Sequence, residues 1–249
     1  MENEQTEFPN KNDVLFVKSD KNWKCNACLF PGRYIGFRDG FKKAANYLSE
    51  QIIKNPNEID YFIYPIVYLY RHYIELALKE ITIMSKKLIG EEENFDKIHG
   101  LNSLWKKARQ NIETLYTKEK YKEDLDGIES YIGQFEDIDP TSQSFRYPFG
   151  KKGDIILNKD LTINLQLLYD KMNKMENLLD SILMDLYVNN DYKEEYDSYL
   201  YKETYSYDIY PEVFICNICG NYIVTAKITG KRDLICDSCY IEILKEYEY

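Results

Sequence analysis

Long apolar runs and an excess of basic residues are both missing from this sequence. The longest apolar run, residues 61–70, is too short to cross a bilayer and leads directly into Arg71 and His72. The first residues, MENEQTEF, are polar and acidic, so we expect no signal peptide, no membrane partner and a cytoplasmic location. With 32 basic against 42 acidic residues, the net charge of −10 excludes a protein that coats nucleic acid non-specifically. The net charge does not exclude a specific nucleic-acid site, because a single groove can have a local positive potential.

Several common catalytic motifs are also missing. The sequence contains no glycine-rich phosphate loop, no GxSxG elbow and no HExxH pattern. Serine hydrolases, P-loop enzymes and zinc proteases of those types are therefore set aside. Only two histidines occur, His72 and His99, so any histidine chemistry must use one of them.

What the chain does contain is helical periodicity. Apolar residues recur every three or four positions, which predicts helices over 37–54, 61–88, 99–116 and 120–135, and a long one from near Asp160 with Asn158 or Asp160 as its cap. Residues 137–153 are rich in proline and glycine, which predicts irregular structure there. The apolar face predicted for the first helix is formed by Phe37, Phe41, Ala44, Ala45 and Leu48.

The second predicted helix is apolar nearly all round, which is typical of a helix in the middle of a bundle. Arg71, Glu75 and Lys79 interrupt it as a polar stripe at a spacing of four, and buried charges of this kind need partners. The last helix has a strict heptad seam, which predicts either the closing helix of a bundle or a two-fold homodimer interface. The seam residues are Leu161, Leu165, Leu168, Met172, Met175, Leu179, Ile182 and Leu186.

The C-terminal part contains two CxxC pairs separated by sixteen residues. Each pair presents two thiolates to one tetrahedral ion, and the spacer is long enough for a β-hairpin that brings the pairs together. Because protein sulfur fills all four positions, we expect a structural Zn²⁺ rather than a catalytic one, with a redox or disulfide role as the alternative. The segment resembles the zinc-ribbon class, and its few basic residues favour a protein partner over nucleic acid. The predicted ligands are Cys216, Cys219, Cys236 and Cys239.

A third CxxC, Cys25 and Cys28, stands alone near the N-terminus. It could bind a metal only with help from His72, His99 or another chain. Plain packing is the default interpretation, with a metal or redox role as the alternative.

Three short motifs, RHxxEL at 71–76, HxLxxLW at 99–105 and FRYP at 145–148, occur within the predicted helical region. Together with the run of helices, they resemble the HEPN superfamily of prokaryotic helical bundles associated with RNA and nucleotides, in particular an uncharacterised branch. The resemblance covers roughly residues 37–187. The fold class predicted is mainly α, a HEPN-like bundle followed by a small zinc ribbon.

The resemblance implies a metal-independent endoribonuclease that works as a dimer, of the kind found in phage-defence or toxin systems. Such enzymes carry an arginine followed four to six residues later by histidine, but Leu76, Ala77 and Leu78 occupy those positions after Arg71. Catalysis would have to combine residues that are distant in sequence. The candidates are Arg71, His72, Glu75, His99 and Arg146.

Two alternatives remain beside a nuclease or nucleotide-acting enzyme. A non-catalytic interaction or regulatory module would use the zinc ribbon to bind a partner protein. In that case Arg71 and Glu75 would form a structural pair. His99 would cap its own helix, and Arg146 would clamp its loop onto Glu75. A DNA-binding regulator is disfavoured because the ribbon lacks a basic face. The chain is divided into 1–36, an N-terminal segment; 37–188, the bundle; 189–212, an extended acidic, tyrosine-rich linker with or without a short helical piece; and 213–249, the zinc ribbon.

Overall fold

The computed structural model describes residues 9, 11–29, 31–92, 97–116 and 122–206, with side chains described up to residue 198. Within these ranges the chain is mainly helical and contains no strand, only an isolated bridge between Phe149 and Ile155. The helices are α1 (Tyr34–Lys54), α2 (Ile59–Ile89), α3 (Leu101–Leu115), α4 (Lys122–Ile138) and α5 (Leu165–Ser206). The predicted α class is confirmed for this part of the chain.

Helix α2 is the centre of the bundle. It packs against α1, α3 and α5, while α3 also packs against α4 and α1 against α5. Burial all round explains why its sequence is apolar on every face, as predicted. Among its fully buried side chains are Ile66, Tyr70, Ile74, Leu78 and Ile81.

The ends of two helices are set by local chemistry. Helix α2 ends at Ile89 and is capped by Gly90, whose φ of 85° lies in the left-handed region that glycine adopts without strain. Helix α5 begins after Asn164, whose Oδ1 accepts a hydrogen bond from the amide of Leu167 at 3.0 Å. The predicted cap at Asn158 or Asp160 is therefore wrong, because the Asn158 side chain instead forms a turn with the amide of Asp160.

The buried face of α1 matches the predicted one only in part: Ala45 is buried, and Phe41 and Leu48 pack against the core. Phe37 is 56% exposed and Ala44 is also exposed, whereas Arg38 and Ser49 are buried. Apolar spacing located the helix and three residues of its buried face but not the polar residues of that face, because α2 and α5 offer polar partners to α1. Arg38, for example, is paired with Glu80.

The heptad seam of α5 lies inside the bundle. Leu165, Met172, Met175, Leu179, Ile182 and Leu186 are all buried and belong to the same core as α2. Of the two predicted roles, the structure shows the intramolecular one. Leu161 precedes the helix and is only partly buried.

Helix α5 continues to Ser206, so the prediction of an extended linker from residue 189 is wrong as far as residue 206. Asn190 is 2% exposed and donates to the carbonyl oxygen of Met84 at 3.0 Å. Lys193 donates to the carbonyl oxygen of Lys87 at 2.6 Å. These contacts fasten the continuation of α5 to the C-terminal end of α2. No helix within the described ranges is both long enough and apolar enough to span a membrane.

Candidate functional site

A buried ion pair lies at the middle of α2. Arg71 is fully buried, and its Nη1 lies 3.3 Å from Oε2 of Glu75, one turn further along the helix. Lys79, a further turn on, donates to Oε1 of Glu75 at 2.9 Å. The predicted polar stripe is thus fully paired, as buried charges require.

Arg71 also connects α2 to two other parts of the fold. Its Nη2 donates to the carbonyl oxygen of His99 at 3.0 Å, just before α3. Its Nε donates to the carbonyl oxygen of Asp139 at 3.3 Å and lies 3.4 Å from the Asp139 carboxylate, just after α4. One guanidinium therefore fixes the positions of three segments, and it has no surface left for a substrate.

Asp139 was not singled out from the sequence. Its Oδ1 accepts hydrogen bonds from the amides of Gln143 and Ser144, at 2.8 and 2.9 Å, and so folds the segment that follows α4. Within that turn, Ser142 has a φ of 60°, a conformation rare outside glycine. An aspartate followed by proline at a helix end was the available signal for this turn.

His99 contacts the buried carboxylate of Glu75. Its Nδ1 lies 2.8 Å from Glu75 Oε1, while the His99 side chain is 69% exposed and that of Glu75 only 4%. Burial by itself would raise the pKa of Glu75, but hydrogen bonds from Lys79 and His99 outweigh it and hold that pKa below its usual value. Glu75 is therefore ionised at neutral pH and accepts the Nδ1–H of His99.

The start of α3 is bonded to a carboxylate from α4. The amide of Leu101 donates to Oε2 of Glu136 at 2.8 Å, and a Cβ at Gly100 would lie 3.2 Å from the other oxygen of that carboxylate. Glu136 therefore satisfies the helix start. The alternative in which His99 caps its own helix is wrong, because the His99 side chain contacts Glu75.

His72 and Arg146 are joined through Tyr68. The His72 ring stacks on Tyr68 at 5.8 Å between centroids and meets the edge of Phe41 at 4.4 Å. Burial lowers the pKa of His72, so its ring is neutral at pH 7. Arg146 lies over the Tyr68 ring at 5.6 Å, and its Nε donates to the carbonyl oxygen of Ser142 at 2.6 Å. It forms no ion pair with Glu75, so the predicted clamp onto Glu75 is wrong.

The sequence candidates are thus neighbours but do not share one cleft. Arg146 lines a groove of about 740 Å³ between the start of α2 and residues 144–163, whereas Arg71, Glu75 and His99 do not. His99 projects its ring at a separate, exposed position, and Arg71 is enclosed.

A second polar cluster, between α1, α2 and α5, was missed by the sequence analysis. Arg38 Nη1 lies 2.5 Å from Oε2 of Glu80, whose other oxygen accepts the hydroxyl of Tyr187. Burial raises the pKa of Glu80 despite these partners. The same interface contains pairs of Lys42 with Asp180 and Asn46 with Glu176. Apolar periodicity could not reveal it, because polar residues occupy core-facing positions of three helices.

Two of the six cysteines, Cys25 and Cys28, lie within the described residues. Cys25 and Cys28 are exposed, so the packing interpretation is wrong. The described ranges contain no group of three histidines, cysteines or carboxylates able to hold a metal, so the structure does not join this pair with His72 or His99 there. Cys216, Cys219, Cys236 and Cys239 lie outside the described residues, and the zinc ribbon stays a prediction.

No family model, curated protein or solved structure matches the chain. Fold and site define a mainly α-helical bundle whose central helix holds a buried ion network with an exposed histidine at one edge.

Proposed function

We propose that this protein acts on RNA or a nucleotide, with His99 as the residue that transfers a proton. The observation that supports the proposal most is the hydrogen bond between exposed His99 and buried, ionised Glu75. A buried carboxylate that holds Nδ1–H fixes both the orientation and the tautomer of the ring. In the neutral ring the lone pair is then on Nε2, which lies on the opposite side of the ring from the carboxylate.

An imidazole in this state suits cleavage of an RNA phosphodiester. Nε2 takes the proton of a ribose 2′-hydroxyl, the 2′-oxygen attacks the neighbouring phosphorus, and the 5′-oxygen leaves with a proton from water. The products are a 2′,3′-cyclic phosphate and a 5′-hydroxyl. The resemblance to ribonucleases of the HEPN superfamily supports this choice of substrate.

In this proposal the arginines have different tasks. Arg71 is a positioning residue, because it is fully buried and holds both the His99 carbonyl and Glu75. Arg146 is exposed in the separate groove, so in this proposal it contacts a phosphate of the RNA other than the one at which His99 acts. This division departs from the enzymes that the sequence resembles, in which the arginine near the histidine contacts the substrate.

The test is RNA cleavage by the full chain, followed by analysis of the RNA ends. His99→Asn should lower the cleavage rate by about a hundredfold or more, since general acid–base catalysis contributes on the order of 10²–10⁴. Asn102→Ala, at an exposed position in the first turn of α3, is the matched control and should leave the rate unchanged. Equal rates for His99→Asn and the unmodified chain, or no cleavage of structured and unstructured RNA alike, would overturn the proposal.

A non-catalytic interaction module is the second candidate, and one observation favours it. Arg71, Glu75 and Asp139 are all buried and paired, so the motif that suggested catalysis also has a complete structural explanation. This candidate predicts a partner protein that co-purifies with the full chain and is released by Cys216→Ser with Cys236→Ser. A partner retained by that double variant would contradict it.

A further inference from the structure

A half-open groove of about 740 Å³ lies between the first turns of α2 and the irregular segment 144–163. This volume is typical of a site for one small ligand. A tight turn connects the lining stretches 144–148 and 155–163; in it Gly150 N donates to the carbonyl oxygen of Asp154 at 2.8 Å and Gly153 takes a φ of 80°. The aliphatic lining residues are Ile59, Ile63, Ile155, Leu157, Leu161 and Ile163.

Two tyrosines give the groove aromatic surface. Tyr64 and Tyr147 both line it, and they are 48% and 54% exposed. Arg146 lies over the Tyr147 ring at 5.6 Å, so cationic and aromatic groups are adjacent. Such a combination suits a planar ring that carries a negative charge, because the ring can stack while the charge meets the guanidinium.

The local charge of the groove opposes that of the chain. Two cations, Arg146 and Lys159, and one anion, Asp60, line it, although the whole chain carries −10. Within the described ranges neither cation has a carboxylate within ion-pair distance. Both are therefore available to an anionic ligand.

Two further observations support a ligand here. Ser144 lines the groove and is 2% exposed, and its Oγ has no hydrogen-bond partner among the described residues. Buried hydroxyls usually have one. Arg146 also contacts Tyr68, which stacks on His72. The groove therefore adjoins the part of α2 that carries His72.

We propose that this groove binds one nucleotide, with its base against Tyr64 and Tyr147 and its phosphate at Arg146 and Lys159. This site rests on the proposed function in one respect: the bound nucleotide is taken to be one unit of an RNA substrate. It adds the location at which that unit is held. Binding is measured without turnover, so the two proposals can fail separately.

The experiment is isothermal titration calorimetry of the full chain with adenosine 5′-monophosphate, adenosine, inorganic phosphate and octanoate. Adenosine 5′-monophosphate should bind at least about tenfold more tightly than adenosine or phosphate, because only it uses both parts of the groove. No binding of the nucleotide overturns the proposal, as does tighter binding of octanoate, which has an apolar chain and a negative charge but no ring.

Variants locate the binding. Tyr64→Ala and Arg146→Gln should each weaken nucleotide binding by about tenfold. Tyr61→Ala and Lys151→Gln are matched controls, because Tyr61 is 78% exposed on the same helix, Lys151 is exposed in the same segment, and neither lines the groove. Equal losses in the variants and their controls would overturn the assignment to this groove.

The two proposals give different combinations of results. His99-dependent cleavage by a chain that binds no nucleotide overturns the groove alone. If Tyr64→Ala weakens nucleotide binding, the groove is supported. If cleavage by the same chain does not depend on His99, the catalytic proposal is overturned.

Discussion

Glu75 Oε1 lies 2.8 Å from His99 Nδ1, although the Glu75 side chain is 4% exposed and that of His99 is 69% exposed. The buried carboxylate is held by Arg71 and Lys79 from the same helix. The exposed ring is thereby oriented by largely buried groups. This relationship joins the α2 motif to the start of α3 and underlies the proposed function.

Replacing Arg71 tests how much this network stabilises the fold. Arg71→Met should lower the free energy of unfolding by roughly 3–5 kcal/mol, because it leaves buried carboxylates without their cation. Chemical unfolding followed by circular dichroism measures the change. Arg109→Met is the control: Arg109 pairs with Glu113, Asp126 and Glu129, but those partners are largely accessible, and the loss should be about 1 kcal/mol or less. Equal losses of unfolding free energy in the two variants would contradict the conclusion that burial makes the Arg71 network more stabilising than an accessible one.

The sequence predicted the general plan of the bundle well. The positions of the helices, the central place of α2 and the pairing of Arg71 with Glu75 follow from apolar spacing and from the requirement that buried charges be paired. The full buried face of α1 does not follow, because the Arg38–Glu80 pair makes core positions polar. The anchoring role of Asp139 also could not be predicted, because it depends on an arginine 68 residues earlier in the chain.

Glu176 should make stability depend on pH in a defined direction. Burial raises the pKa of Glu176, and its Oε1 has no partner among the described residues. A raised folded-state pKa gives stability that is present below the unfolded pKa and lost as the pH rises through the folded pKa. Glu176→Gln should therefore raise the melting temperature, relative to the unmodified chain, more at pH 7 than at pH 4.

The control for this prediction is Glu195→Gln, an exposed carboxylate on the same helix. Thermal unfolding at the two pH values measures both variants. A gain from Glu176→Gln that is the same at pH 4 and pH 7 would show that the charge of Glu176 is not responsible.

The α5 seam should behave as an intramolecular core. Leu179 is fully buried, and Leu179→Ala should lower the free energy of unfolding by roughly 2–5 kcal/mol. Met184, which is 65% exposed on the same helix, is the control, and Met184→Ala should change the free energy of unfolding by about 0.5 kcal/mol or less. If Leu179→Ala dissociated a dimer into equally stable monomers, the seam would instead be an interface between chains.

Metal analysis tests the predicted zinc ribbon. The purified full chain should contain one zinc per chain by mass spectrometry of the elements, and Cys216→Ser or Cys236→Ser should remove most of it. Cys25→Ser and Cys28→Ser are the controls, because both residues are exposed and belong to no metal-binding group within the described ranges. A chain purified without zinc would contradict the ribbon, and zinc loss from the controls would assign the metal to the N-terminal pair.

The most direct measurement of the proposed role of His99 uses diethyl pyrocarbonate, which modifies accessible imidazole nitrogens. The chain has only two histidines, and His72 is half-buried between Phe41 and Tyr68, so peptide mass spectrometry can follow each one separately. We predict that His99 is modified first and that RNA cleavage falls in parallel with its modification. Complete modification of His99 with cleavage unchanged would contradict the account.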